Sequence, residues 1–182
     1  MDVSPCMIVD EKSTASVLME RVSDDEHWMA EAMVLARLGA AVGEVPVGAV
    51  VVHEGRIVGR GYNSPIGRTD PCAHAEILAL RDAARTLGNY RLVDCDLYVT
   101  LEPCTMCAGA MVHSRIRRLI FGATEPKAGA VVSRDRALEH EHLNHRVEAV
   151  GGVLAPECSL MLSVFFRRRR ALQKAKRKSG DA

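Results

Sequence analysis

Val47 to His53 is a valine-rich run, Glu54-Gly55 is a turn signal, and Arg56 to Tyr62 resumes the extended pattern, so these residues predict a β-hairpin. Upstream, Ser23-Asp24-Asp25-Glu26 matches a capping box, in which the Ser23 hydroxyl and the Glu26 carboxylate satisfy opposite backbone donors. A helix is therefore expected from Asp24 to Leu38, with Gly39 as its stop. Residues 1–22 show no sustained period and read as a mobile arm without a fold of its own. After the hairpin, Asn63 to Cys72 reads as a loop because it holds two prolines and a glycine. Ile77, Leu78, Leu80, Ala84 and Leu87 then recur at helical spacing, which predicts a helix from Ala75 to Leu87 closed by Gly88. Asp96 to Thr100 is the third expected strand, Cys104 to His113 a further helix, Arg118 to Gly122 a fourth strand and Arg146 to Val150 a fifth. Pro156 sits near the first turn of a long final helix running to Lys178, while residues 124–145 carry no clear period. Strands alternating with helices predict an α/β sandwich, and no internal repeat is visible.

Composition supports a single domain, since 182 residues with 48% hydrophobic side chains suffice for one core and 26% charged residues keep its surface wet. No run approaches the roughly 18 to 20 apolar residues that span a bilayer, so no membrane partner is expected. Met1 to Asp10 lack the basic stretch and apolar run of a signal peptide, so a cytoplasmic location is the default; Met19 is a second candidate start. The net charge of +1 conceals an asymmetry: residues 167–178 hold eight Lys or Arg and no acid, whereas residues 1–166 hold 16 basic and 22 acidic side chains. Such a basic block commonly faces a polyanion, the alternative being a solvated helix end.

The chemistry-bearing residues stand out against this background. His74-Ala75-Glu76 is followed 27 residues later by Pro103-Cys104-Thr105-Met106-Cys107. His74, Cys104 and Cys107 are zinc-type ligands, and three of them leave one coordination position open, where a bound water is acidified and can attack a substrate near neutral pH. Both halves of the motif fall where a strand or loop gives way to a helix, and the positive end of a helix favours the thiolates that zinc needs. Residues two apart do not share a helix face, so His74 and Glu76 converge only if His74 projects from the helix end. Two thiolates and a neutral imidazole cancel the zinc charge, so the water is acidified less strongly than at an all-histidine site, and Glu76 has proton work as general base and then acid. Hydroxide attack on an amidine-like ring carbon with loss of ammonia suits this set. Cys72, two residues before His74, could instead complete a closed structural Cys3His site. Cys95 and Cys158 read as small core residues and Cys6 as an exposed residue of the arm. His140, His142 and His145 read as a solvated loop with His145 hydrogen-bonded structurally, rather than as a second metal cluster.

His-Ala-Glu with Pro-Cys-x-x-Cys resembles the signature of the zinc nucleoside and nucleobase deaminases. Val45 to Val50, Asn63 to Arg68, Leu97 to Cys104, Asn144 to Glu148 and Phe165-Phe166-Arg167 narrow that resemblance to the bacterial tRNA-specific adenosine deaminases, over about residues 23–175. It implies a cytidine deaminase-like three-layer α/β/α sandwich around a central mixed five-stranded sheet, with the deaminase domain at 23–166, the arm at 1–22 and a basic helix end and tail at 167–182. By the same resemblance His74, Cys104 and Cys107 hold one zinc per subunit, Glu76 shuttles protons, and Asn63 hydrogen-bonds a flipped adenine. Val47, Glu125 and Phe166 join the substrate contacts, and Arg167, Arg168, Arg169 and Arg170 meet the RNA backbone. The implied substrate is the wobble adenosine in the anticodon stem-loop of an arginine tRNA with an ACG anticodon, converted to inosine by a homodimer whose interface includes Ala110 to Ser114. Phe165 and Phe166 could stack on a base or pack in the core. This chain departs from the family in having Cys72 where Thr or Ser is usual, and in its longer arm. Two other readings compete: a zinc-dependent guanine or cytosine deaminase acting on free bases, and a non-catalytic RNA-binding module with structural zinc, in which Glu76 has no task.

Overall fold

The alternation of apolar side chains along the strands sorts the core into two halves. In the computed structural model, which describes residues 11–179 and the side chains of residues 24–177, β1 (Gly48–His53), β2 (Arg56–Tyr62), β3 (Asp96–Leu101), β4 (Arg118–Ala123) and β5 (Glu148–Gly151) form one sheet in the order β2-β1-β3-β4-β5. β1 pairs antiparallel with β2 and β3, whereas β3–β4 and β4–β5 are parallel, so the sheet is mixed as expected. The helices are α1 (Glu11–Ala41), the short α2 (Pro65–Arg68), α3 (Ala75–Leu87), α4 (Thr105–Ser114) and α5 (Ala155–Ser179). Ala49, Val51, Leu97, Val99, Leu119 and Phe121 turn to one face and pack with Ile77 and Leu80 of α3 and Met111 of α4. Their neighbours Val50, Val52, Tyr98 and Ile120 turn to the other and meet Met29 and Met33 of α1 and Cys158 and Met161 of α5. The result is three layers, with period-two strands buried on both faces.

Two expectations at α1 are corrected. The helix begins at Glu11, so Ser23 lies within it and the capping box is not a start; residues 11–22 belong to that helix. Nor does Gly39 stop it: the turn comes at Gly43, whose φ of 88° lies in the left-handed region. The Gly43 N–H donates to the Ala40 carbonyl and the Glu44 N–H to that of Gly39, the paired bonds of a Schellman stop. Gly88 (φ 63°) closes α3 in the same way, as expected. Strand and helix ends otherwise shift by a residue or two, and 124–145 form turns with neither helix nor strand. Residues 1–10 with Cys6, the side chain of Ser23, and the tail end 180–182 lie outside the described residues.

Two contacts fix the frame of the site. β2 lies so close to α3 that a Cβ on Gly61 would stand 2.2 Å from the Ala75 carbonyl oxygen, and one on Gly59 2.3 Å from that of Ala79. Only glycine permits this approach, which holds the start of α3 against the end of β2. At the opposite end of the sheet, Asp25 of α1 accepts from Tyr98 Oη (2.8 Å) and from Arg118 (2.9 Å), while Asp96 accepts two bonds from Arg117 and one from Arg118. Among the described residues no helix is long and apolar enough to cross a membrane.

Candidate active site

Three residues that differ in type and lie far apart in sequence converge because two helices begin at one place. His74 is the N-cap of α3 and Cys104 the N-cap of α4, both with extended backbone (φ −71° and −78°), and neither side chain caps its own helix. Their carbonyls start the helical ladders, accepting from Leu78 and Ala108, which leaves the side chains free to point at each other. This meets the geometric demand that His74 project from the helix end to share a site with Glu76. Cys107 follows on the first turn of α4 and is fully buried.

The donor atoms form a nearly equilateral triangle. His74 Nδ1 is 3.7 Å from Cys104 Sγ and 3.6 Å from Cys107 Sγ, and the two sulfurs are 3.7 Å apart. A tetrahedral zinc with Zn–S of about 2.3 Å and Zn–N of about 2.05 Å has S···S edges of about 3.8 Å and S···N edges of about 3.6 Å. The residues therefore fit zinc, with one vertex left over. Hydrogen bonds with Cys107 and then His74 bring the Cys104 thiol down to about 4, while the bond to Cys104 and burial drive Cys107 upward. Two sulfurs this close can both be thiolates only around a cation. Contact with Cys104 raises His74 against the opposing effect of burial. Cys72 is exposed and stands outside the cluster, so the closed Cys3His arrangement is not formed.

Glu76 is only 4% exposed, on the first turn of α3 behind His74. Burial raises its carboxyl above the ordinary range, opposed by a backbone hydrogen bond and by His74. Asn63 reaches the same turn: its Oδ1 accepts from the Ala75 N–H at 2.9 Å, which turns the amide NH2 outward as a donor. Val47 supports it from below, with a buried side chain and a carbonyl that accepts the Asn63 N–H at 3.0 Å.

Glu102 has a task that no sequence motif marked. This buried carboxylate accepts from the N–H groups of Val131 (3.1 Å), Val132 (2.8 Å) and Ser133 (2.9 Å) on one oxygen. The other takes the Glu125 N–H (2.9 Å) and the Ser133 hydroxyl. Burial alone would raise its pKa, but these bonds hold it at about 2. One side chain thus organises the aperiodic segment beside Cys104, and its place just before Pro103-Cys104 was the available signal. Glu125 is positioned by this hub, with its own carboxylate accepting the Lys127 N–H at 3.0 Å. A recess of about 440 Å³ opens between Cys104 and that segment, with Lys127 and Arg134 on its wall.

Phe166 and Arg167, Arg168, Arg169 and Arg170 are exposed on α5, with Phe166 edge-on to Phe165 at 5.5 Å; among the described residues no hydrogen bond or ion pair joins Phe166 to the cluster. His145 Nε2 donates to the Ile116 carbonyl at 2.7 Å, the structural role expected, while His140 and His142 stack on each other in an exposed loop. Cys95 and Cys158 are buried core thiols, as expected.

The chain is similar to known deaminases in sequence and in fold. The family model of the MafB19-like deaminases matches residues 23–170. The tRNA-specific adenosine deaminase of Haemophilus influenzae is 54% identical over 151 residues, covering 82% of this chain and 87% of the relative. That of Bacillus subtilis is 46% identical over 158 residues, covering 87% and 98%. A solved structure from a study of A-to-I editing by tRNA:A34 deaminases at the wobble position of transfer RNA superposes with a TM-score of 0.73 at 45% identity, covering 75% of this chain and 99% of that one. Two helix N-caps bring a histidine and a cysteine pair around one point, beside a buried glutamate, and the chain belongs to the tRNA-specific adenosine deaminase family.

Proposed function

We propose that this protein hydrolytically deaminates the wobble adenosine of a tRNA anticodon stem-loop to inosine, with the ACG-anticodon arginine tRNA as substrate. The observation that carries the chemistry is the zinc-sized triangle of His74, Cys104 and Cys107 with the buried Glu76 beside it. His74, Cys104 and Cys107 would hold one zinc per subunit, and it would acidify a bound water and so supply a nucleophile for the adenine C6 carbon. Glu76, with a carboxyl lifted by burial, takes the proton that water gives up and delivers it to the departing amine, so that ammonia leaves. Asn63, its carbonyl held by Ala75, donates its amide hydrogens to a ring nitrogen of the flipped base.

An anticodon loop suits this site because its unstacked bases reach an active site at low energetic cost. The exposed Arg167, Arg168, Arg169 and Arg170 of α5 supply a cationic contact to the surrounding backbone and Phe166 an aromatic face for a neighbouring base, while Val47 and Glu125 shape the base and ribose ends. The domain is 23–166, and 167–182 serve as the RNA-binding extension. We place the enzyme in the cytoplasm as a homodimer joined through Ala110 to Ser114, where His113 is exposed and Ser114 half-buried.

Deleting residues 167–182 tests the substrate class. With the proposed enzyme, tRNA turnover falls and its salt dependence flattens, and neither form acts on free guanine, cytosine or adenine. Turnover of free bases that survives the deletion would contradict the proposal and favour the free-base deaminase.

A further inference from the structure

The body of this protein carries more acidic than basic residues up to residue 166, yet one recess on it reverses that balance. Arg60, Arg68 and Arg85 line a hollow of about 200 Å³ between β2, α2 and α3, together with Tyr62 and Ser64, and Asp82 is the single acid on its wall. Asp82 is already engaged: its Oδ2 accepts the Arg60 N–H at 3.0 Å, an edge-strand donor that no neighbouring strand meets, and its Oδ1 stands 3.9 Å from the Arg85 guanidinium. Among the described residues neither Arg60 nor Arg68 forms an ion pair, and both are exposed.

The recess is held in place. The α2 turn that presents Arg68 is pinned by the Gly67 N–H, which donates to the buried carboxylate of Glu44 at 2.7 Å. Arg60 sits on β2, whose glycines lock it against α3, the helix that carries Arg85. Tyr62 and Ser64, two of the lining residues, flank Asn63 in the chain, so the end of β2 and the turn after it join the hollow to the segment that carries Asn63. Three guanidinium groups carried on a fixed backbone frame, with one partly neutralised acid among them, have the chemistry of a phosphate cradle.

We propose that Arg60, Arg68 and Arg85 bind phosphodiester groups of the RNA strand flanking the flipped nucleotide, as a second cationic contact independent of the α5 tail. This rests on the reading of the substrate as RNA. It gives the strand a second anchor besides the α5 tail and so helps fix which nucleotide reaches Glu76.

The test measures binding of a labelled anticodon stem-loop by full-length protein across a salt series, for the wild type, a triple R60A/R68A/R85A variant and a triple Arg→Lys variant. The alanine variant should melt at the wild-type temperature, bind roughly tenfold to a hundredfold more weakly near 0.1 M salt, and show a log K against log salt slope shallower by about 2, the loss of three single-strand phosphate contacts. The lysine variant should recover the slope, because phosphate accepts a point charge. An alanine variant with the wild-type slope, or a lysine variant that fails to restore it, overturns the proposal. If the wild type edits the stem-loop while the triple variant binds it unchanged, the phosphate cradle alone is wrong. If the wild type neither binds nor edits it, the RNA reading beneath the proposal fails as well.

Discussion

Glu102→Gln is the sharpest structural perturbation available, because one carboxylate holds the segment from Glu125 to Ser133 beside Cys104 through four backbone N–H groups and one hydroxyl. Glutamine keeps one acceptor oxygen, which can stay with Val131, Val132 and Ser133. Its NH2 then faces the Glu125 N–H, donor against donor, and the Ser133 hydroxyl must rotate to accept. A buried donor left unmet costs about 2 kcal/mol, and the three remaining bonds, no longer charge-assisted, lose roughly another 2 kcal/mol together. The sum of about 4 kcal/mol lowers Tm by roughly 8–16 °C for a chain of this size. The sign of the pH dependence follows from the same bonds. Since they hold the carboxyl at about 2, below its ordinary 4.5, its contribution is fully present above about pH 4.5 and is lost as the pH falls towards 2. Metal release in acid is common to both proteins, so the difference between their melting curves isolates Glu102: wide at neutral pH, it should narrow below about pH 4.5. A variant that melts with the wild type at pH 7, or a gap that does not narrow in acid, would show that Glu102 does not hold this segment.

The other expectations concern the metal and the proton carrier. Cys104→Ser should lose its metal at a chelator concentration that leaves the wild type loaded, whereas Cys72→Ser should retain it; metal analysis separates the two, and metal lost from Cys72→Ser would mean that Cys72 closes the coordination sphere. Gly61→Ala forces a Cβ to within 2.2 Å of the Ala75 carbonyl and should cost about 3 kcal/mol, with weaker metal retention because the start of α3 must move. Glu76→Ala should lower kcat by roughly 10²–10⁴ while tRNA binding is unchanged, and turnover at the wild-type rate would remove Glu76 from the mechanism.

The architecture was legible where hydrophobic period and turn chemistry agreed. The valine hairpin, the Gly88 stop and the two helices that open on His74 and Cys104 are all local signals, and the fold only had to bring two N-caps together. The start of α1 was not legible. Ser23-Asp24-Asp25-Glu26 has the side chains of a capping box, but a cap acts only where the preceding residue is not helical. Once a helix exists, extending it through residues 11–22 adds one hydrogen bond per residue without a new nucleation cost. Gly39 misled in a related way: glycine is tolerated in a last turn, and the stop lies where a left-handed residue completes the paired bonds, at Gly43. The work of Glu102 was hidden because its partners lie in an aperiodic segment 23 to 31 residues away, so that only tertiary structure aligns their N–H groups on one carboxylate.

Hydrolysis of one adenine at Glu76 can be followed by mass spectrometry of the wobble nucleoside after incubating ACG-anticodon arginine tRNA with zinc-loaded protein in water enriched in oxygen-18. Wild-type protein should yield inosine carrying the heavy oxygen on C6, and Glu76→Ala, tRNA-bound, should leave adenosine. Unchanged adenosine with the wild type, inosine without the label, or labelled inosine formed at the wild-type rate by Glu76→Ala would exclude hydrolysis at Glu76.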